Sequence, residues 1–481
     1  MCIMVVMKAV VQKIIQGGMG TGVSNWRLAQ TVSRIGQLGL VSGTGLDHIL
    51  IRRLQDGDPE GHMRRALSHF PFPKMVQRIL DTYFIPGGKA ASATYKSSGF
   101  HTVEGNRAPQ EMCIAANFVE VFLAREGHSN PVGINYLEKI QLPHLPSIYG
   151  AMLAGVSVVV MGAGIPLEVP GILDTLVRHE SVSYPIYVAG LKGAESYRMT
   201  FNPHDFMEDN LSLNPLERPA FLPIVASDTL ATMLLRRATG SIQGFIIEGP
   251  LAGGHNAPPR GKLQLSATGE PIYGPRDVVN LEAFRAMNVP FWLAGAYGSA
   301  EGLRKALAEG ATGIQAGSAF ALCEESGLTT EFRRALVQKA LDGKAEIFTD
   351  PLASPTGFPF KVAKLEGTLS EPEVYARRQR RCDLGFLREV YRKEDGAIGY
   401  RCPAEPVASY VAKGGKAEDT LNRKCLCNGL VADVGYPQSL SNGTHEPPVV
   451  TLGDDYIHVG QFCRQGKPDY TAADVIRTIL G

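Results

Sequence analysis

From residue 11 to about 320, short apolar runs that end in glycine alternate with stretches whose apolar positions recur at helical spacing. The runs fall at 11–16, 38–42, 132–136, 156–161, 221–225, 245–247, 291–294 and 313–316. Run 156–161 is apolar throughout, which predicts a strand buried on both faces of a parallel sheet. A helix is predicted after the first run, with Ser24 as its N-cap and Leu28, Val32 and Ile35 on its buried side. Others are expected at 112–125 and 229–238. Run 182–188 competes for the fifth place. The run at 221–225 is preferred because a helix follows it directly, leaving 182–188 to pair with 197–201 as an inserted hairpin. Eight strands with helices between them predict a closed (β/α)8 TIM barrel, with an open doubly wound sheet as the competing arrangement.

The pattern also divides the chain. Residues 1–345 read as the barrel, interrupted at about 46–110 by a polar stretch with helical pieces and at 180–215 by the hairpin. Residues 62–69, basic and bearing His62 and His69, read as a solvated helix face. Beyond 345, Pro351, Pro355, Gly357 and Pro359 break the rhythm, and 346–481 reads as an appended region with an Arg-rich helix at 372–391. No period of solenoid length recurs.

Composition narrows the classes. The chain has 481 residues, three times a typical domain length, which an α/β barrel with additions accommodates. Lys plus Arg is 48 against 47 for Asp plus Glu, a formal charge of +1 that excludes a global basic field for nucleic acid. No apolar run reaches the roughly 18 residues of a membrane helix. The apolar start, residues 1–20, lacks a charged leader and a small-residue cleavage site, and reads as a buried strand entering a loop. A soluble, cytoplasmic protein is therefore expected. The glycosylation patterns at Asn210 and Asn442 carry no weight without a secretory signal. Eight cysteines are too few for a disulfide scaffold and suit a reducing compartment.

In a (β/α)8 barrel, chemistry sits in the loops after the strands. The first such loop is Gln16-Gly17-Gly18-Met19-Gly20, whose glycines let backbone approach a flat ligand, or simply make a tight turn. The sixth, Gly249-Pro250-Leu251-Ala252-Gly253-Gly254-His255-Asn256, carries a histidine whose ordinary pKa suits proton abstraction. Capping the next helix or binding phosphate would serve equally at that position. The seventh and eighth, containing Gly295-Ala296-Tyr297-Gly298-Ser299 and Gly317-Ser318, occupy the places where barrels bind phosphate.

Taken together, IIQGGMG, GQLGLVSGTG, LAGGHNAP, PFWLAGAYGSAEGL and GATGIQAGSAF resemble, in order and spacing, the nitronate monooxygenase family. This family, once called 2-nitropropane dioxygenases, is related to the flavin-dependent enoyl-acyl-carrier-protein reductases. The resemblance covers about residues 10–330. It implies a barrel holding FMN without a covalent link. Gly17, Gly18 and Met19 would lie against the flavin ring, as would Asn135 and Glu248, the latter where the family often has Gln. Gly253 and Gly254 would pass close to it. Gly295, Ala296, Gly298, Gly317 and Ser318 would hold the phosphate, and His255 matches the catalytic histidine. Two departures are Asn256-Ala257-Pro258 after the histidine and Ala296-Tyr297 in the seventh turn, which would set an aromatic ring near the phosphate.

The implied reaction is FMN-dependent oxidation of alkyl nitronates by molecular oxygen, with His255 taking an α-proton or, as a cation, holding the nitronate. Two alternatives share these motifs. One is an enoyl-thioester reductase using NADH or NADPH, for which Lys89, Lys96 and Arg107 could form a basic rim. The other is a noncatalytic flavin-binding component. Cys382, Cys402, Cys425 and Cys427, flanked by Arg381, Arg401, Arg423 and Lys424, read either as inert buried cysteines or as a four-thiolate zinc or iron–sulfur site. Cys463 and His458 are further candidate ligands. Pattern alone leaves the oligomeric state open.

Overall fold

A computed structural model describes residues 11–191, 195–208, 213–440 and 443–481. Residues 1–10 and both Asn210 and Asn442 lie outside the described residues. Fourteen strands are described: β1 Ile14–Gln16, β2 Leu38–Ser42, β3 Val132–Leu137, β4 Val158–Gly162, β5 Val182–Ile186, β6 Tyr197–Phe201, β7 Ala220–Val225, β8 Phe245–Glu248, β9 Phe291–Ala294, β10 Gly313–Ala316, β11 Ile347–Asp350, β12 Phe360–Ala363, β13 Glu389–Arg392 and β14 Ile398–Arg401. Eight of them close into a parallel barrel in the order β1-β10-β9-β8-β7-β4-β3-β2. The fold is a (β/α)8 barrel with an added C-terminal region.

The fifth barrel place falls where expected. β4 pairs directly with β7, Val158 opposite Ala220, while β5 and β6 form a separate antiparallel hairpin. Burial explains the choice. β7 is buried at nearly every position, as a barrel strand must be, whereas β5 alternates buried and half-exposed residues. Inward-facing Ile15, Leu38, Leu40, Val158, Val160, Leu222, Ile246 and Trp292 fill the barrel interior with no access to solvent. The mouth is therefore the open end.

Several local expectations are corrected. Asn25, not Ser24, caps the helix Trp26–Arg34, accepting from Leu28 N at 3.0 Å. Ser24 is instead committed to the preceding turn, where its Oγ accepts from Met19 N and donates to Gly17 O. Ile35 ends that helix exposed. β1 begins at Ile14, and Val11 is exposed. Within the stretch 46–110, the helix Leu46–Gln55 is buried at nearly every position despite its polar residues. The helix expected at 112–125 begins at Arg107. In the short helix His62–Leu67, Met63, Ala66 and Leu67 turn inward and the arginines outward. The Arg-rich helix stops at Arg377, and Glu389–Arg392 pairs with Ile398–Arg401 as a hairpin.

The C-terminal region shares its core with the barrel. Val431, Val450, Leu452, Tyr456 and Val475 belong to one cluster with Ile14, Val32, Phe245 and Ile314. Tyr470 donates to Ala319 O and Tyr456 to Leu336 O, both at 2.8 Å. Among the described residues, no helix is long and apolar enough to cross a membrane.

Candidate active site

The loops after the strands surround a cavity of about 190 Å³ at the C-terminal mouth of the barrel. Gly17, Gly18, Met19, Asn135, Glu248, Gly253, Gly254, His255, Gly295, Ala296, Gly317 and Ser318 all line it. Gly298 does not; a Cβ there would meet Asp455 Oδ2 at 3.1 Å. Gln16 also stays off the wall. Its side chain turns into the fold, with Oε1 accepting from Leu40 N and Nε2 donating to Ser24 Oγ. Tyr297 is not on the wall either and packs with the outer core, so no aromatic ring stands at the phosphate loops from that position.

The turn geometry explains the residue types. A Cβ on Gly18 would lie 2.4 Å from Asn135 Cβ, so only glycine lets the first loop close on β3. The seventh loop needs two successive positive φ angles, +92° at Gly295 and +62° at Ala296. The second is a left-handed conformation in which alanine is strained by about 1 kcal/mol.

Asn135 Nδ2 donates to Gly18 O at 3.4 Å, while its buried Oδ1 has no partner. Gln315 Oε1, also on the wall, is likewise unpartnered. Buried acceptors of this kind cost free energy unless something satisfies them. Burial pushes the Glu248 carboxyl up to about 8, so it is protonated at neutral pH. A neutral carboxylic acid offers one donor and one acceptor, as a glutamine amide does. Burial, and secondarily the charge of Lys139, lowers His255 to about 3. Its imidazole is therefore neutral at physiological pH, against the expected ordinary pKa. Lys139 itself is lowered to about 7 by burial, with Glu138 opposing. Its Nζ lacks a hydrogen-bond partner and stands 3.1 Å from the Phe358 ring centroid.

The C-terminal region builds the far wall. Ser354 Oγ lies 2.7 Å from His255 Nε2, and the Phe360 ring meets the imidazole edge-on. Lys361 N donates to Gly254 O, and Gly254 N to Thr451 Oγ1. Gly453 N donates to Ser318 Oγ at 2.8 Å. Asp455 hydrogen-bonds the same hydroxyl, and burial raises its carboxyl. Ser318 is thus already occupied, and an acidic group stands at the loops expected to receive phosphate. Pattern reading missed Lys139, Ser354, Thr451 and Asp455. Lys139 alone had a signal, since it follows β3 at the functional end of the barrel.

The structure also brings Cys382, Cys402, Cys425 and Cys427 together around a second, much smaller hollow. Cys463 is not among its lining residues, nor is His458. Arg107 is paired with Glu111 at 2.8 Å and Lys89 lies over the Tyr95 ring, and neither lines the cavity.

A (β/α)8 barrel with loop glycines and a buried histidine around the cavity at its mouth defines a ligand-binding scaffold. Residues 215–350 match the nitronate monooxygenase family model. A nitronate monooxygenase of Pseudomonas aeruginosa is 26% identical over 218 residues, 45% of this chain and 54% of that relative. The chain thus matches about half the length of that curated relative. Among solved structures, FabK from Thermotoga maritima aligns over 99% of this chain and 94% of its own, at 16% identity and a TM-score of 0.49. Nitroalkane oxidase from Streptomyces ansochromogenes aligns over 99% and 96%, at 14% identity and a TM-score of 0.46.

Proposed function

We propose that the protein is an FMN-dependent oxidoreductase that oxidises alkyl nitronates with molecular oxygen. The observation that carries this reading is the meeting, on one cavity wall, of His255, Glu248, the glycine loops and an unpartnered Asn135 Oδ1. The donor set fits a flavin. Asn135 Oδ1 would accept from a ring N–H, and protonated Glu248 supplies the donor–acceptor pair that Gln supplies in the family. Gly17 and Gly18 leave room for a flat ring against backbone. The amides and glycines of the seventh and eighth loops would hold the phosphate, with Asp455 in its protonated form beside Ser318. Bound FMN would supply the electron-accepting chemistry and the reaction with oxygen.

The chain's own residues would do the rest. Neutral His255 would hydrogen-bond the nitronate and orient it without itself carrying charge. It cannot hold a nitronate as a cation, because burial disfavours the charged form. Lys139, charged below about 7 and adjacent to the imidazole, is the group placed to balance an anionic substrate. Ser354 fixes the ring, and Phe360, Phe386 and Leu387 shield the cavity from bulk water. In this reading residues 1–345 form the FMN-binding barrel and residues 346–481 complete its mouth.

The test is the absorbance spectrum of the purified protein, with acid-released flavin identified chromatographically, followed by anaerobic reduction. Bleaching of FMN by a nitronate and recovery in air is the expected result. Bleaching by NADH or NADPH alone would replace the reading with enoyl-thioester reduction. Failure to bind FMN after reconstitution would overturn it.

A further inference from the structure

Four cysteines from three separate segments meet below the cavity wall. Cys382 follows the short helix Pro372–Arg377, Cys402 follows β14, and Cys425 and Cys427 flank the start of the helix Leu426–Ala432. All four are free thiols and all line one hollow of about 10 Å³. Inert cysteines pack as small hydrophobes wherever a gap suits them, and nothing in that role makes four of eight converge.

The surroundings are cationic. Arg378 and Arg388 both lie within electrostatic reach of the thiols, Arg378 of Cys425 and Arg388 of Cys382, Cys402 and Cys427. Arg378 is paired with Glu446 in a fully buried ion pair. Arg388 donates to the carbonyls of Gly385 and His101 and stacks on Phe100 and Tyr400. No carboxylate pairs with Arg388 among the described residues. A half-buried guanidinium without a counter-ion, near three of the thiols, calls for an anionic group at that place.

The spacing selects among metals. Four thiolates on a single zinc stand about 2.3 Å from the ion and close too tightly to leave space for a water-sized body. Here the hollow admits one. The thiols are also less tightly drawn than Asp47, His101 and Cys113, whose ligand atoms all lie within 4.8 Å of one another. Cys425 and Cys427 are in mutual hydrogen-bond contact, as two ligands of one iron would be.

We propose that Cys382, Cys402, Cys425 and Cys427 ligate an iron–sulfur cluster. Each thiol gives up its proton on ligation, and the two arginines offset the negative charge of the thiolate-bound cluster. Leu387, Leu426 and Cys427 lie on the walls of both hollows, so the cluster adjoins the mouth cavity through a single layer of side chains. This inference does not depend on what the larger cavity binds.

The test is iron and acid-labile sulfide analysis of the full chain purified without oxygen, with electron paramagnetic resonance after dithionite reduction. The expected result is iron and sulfide in equal amounts, at two or four of each per chain, with a signal on reduction. Cys402→Ser and Cys425→Ser should each lose the cluster, while Cys463→Ser keeps it. Because a cluster ligand can be needed for folding, the wild-type chain is also treated with ferrous iron and sulfide under anaerobic conditions. A wild-type chain that takes up neither, that carries one zinc instead, or whose cluster survives Cys402→Ser would overturn the proposal. The metal content is read whether or not flavin is present, so failure here is distinct from failure of the proposed activity.

Discussion

Ser354 Oγ and His255 Nε2 stand 2.7 Å apart although the residues are 99 positions apart in the chain. The hydroxyl is fully buried and is itself hydrogen-bonded to Thr356 Oγ1 at 2.8 Å. The histidine comes from a barrel loop and its support from the region appended after the barrel. With Nε2 engaged by Ser354, Nδ1 is the nitrogen left for the cavity.

His255→Ala should retain flavin and lower kcat by about 10²-fold or more, the usual cost of losing a positioned hydrogen-bonding group at the reacting centre. Ser354→Ala acts through His255 and should cost about tenfold in kcat, the worth of one orienting hydrogen bond, with KM nearly unchanged. Steady-state kinetics check both. A Ser354 variant that raised KM alone would assign the hydroxyl to substrate binding.

The pH profile should separate the two basic groups. His255 is neutral above about 3, so no acid limb near 6.5 should belong to it. Lys139 loses its proton at about 7, so binding of an anionic substrate should weaken as pH rises through that value. Lys139→Met should abolish that limb and raise KM for the anion at pH 6. Persistence of the limb in this variant would assign it elsewhere.

Glu248 makes the flavin-free protein sensitive to alkali. Its carboxyl ordinarily titrates at 4.5 and is pushed up to about 8 in the fold. Below 4.5 both states are protonated and folding is unaffected. Between 4.5 and 8 the unfolded chain ionises while the folded one does not, so stability falls as pH rises. Glu248→Gln removes that loss. Its advantage over the parent should open across this window and level off above pH 8, at a few kcal/mol on the order of magnitude. Thermal unfolding at a series of pH values measures it.

Asp455 should oppose phosphate binding when ionised. Burial raises its carboxyl, so the neutral form dominates at lower pH and the anion grows as pH rises. FMN affinity should therefore fall with rising pH, and Asp455→Asn should bind FMN more tightly, most of all at high pH. Fluorescence quenching titrations at pH 6 and pH 8.5 give the comparison. Equal affinities in both proteins at both pH values would place the phosphate away from Asp455. Gly317→Asp, which adds a second carboxylate on the same wall, should expel FMN.

Much of this was legible from the order of residues. The barrel strands are mostly apolar runs buried on both faces, and all but β3 and β7 end at a glycine that permits a turn. Those are local properties, and they located all eight strands and the loops that face the cavity. The hairpin β5–β6 was separable for the same reason, since its alternating burial is written as alternating polarity. Asn25 was misjudged in favour of Ser24 because the two stand side by side and either could cap; the turn at Gly17 and Met19 claimed the serine.

What the order of residues determined by itself was the barrel, its register of loops and the placing of His255 on the sixth. Tertiary structure alone decided that histidine's charge state, its partner Ser354, the Asp455 carboxyl at Ser318 and the meeting of Cys382, Cys402, Cys425 and Cys427. Strands and turns follow from neighbours within a few residues. Desolvation and convergence depend on which distant segments pack together, and the region after residue 345 has no period from which its path could be read.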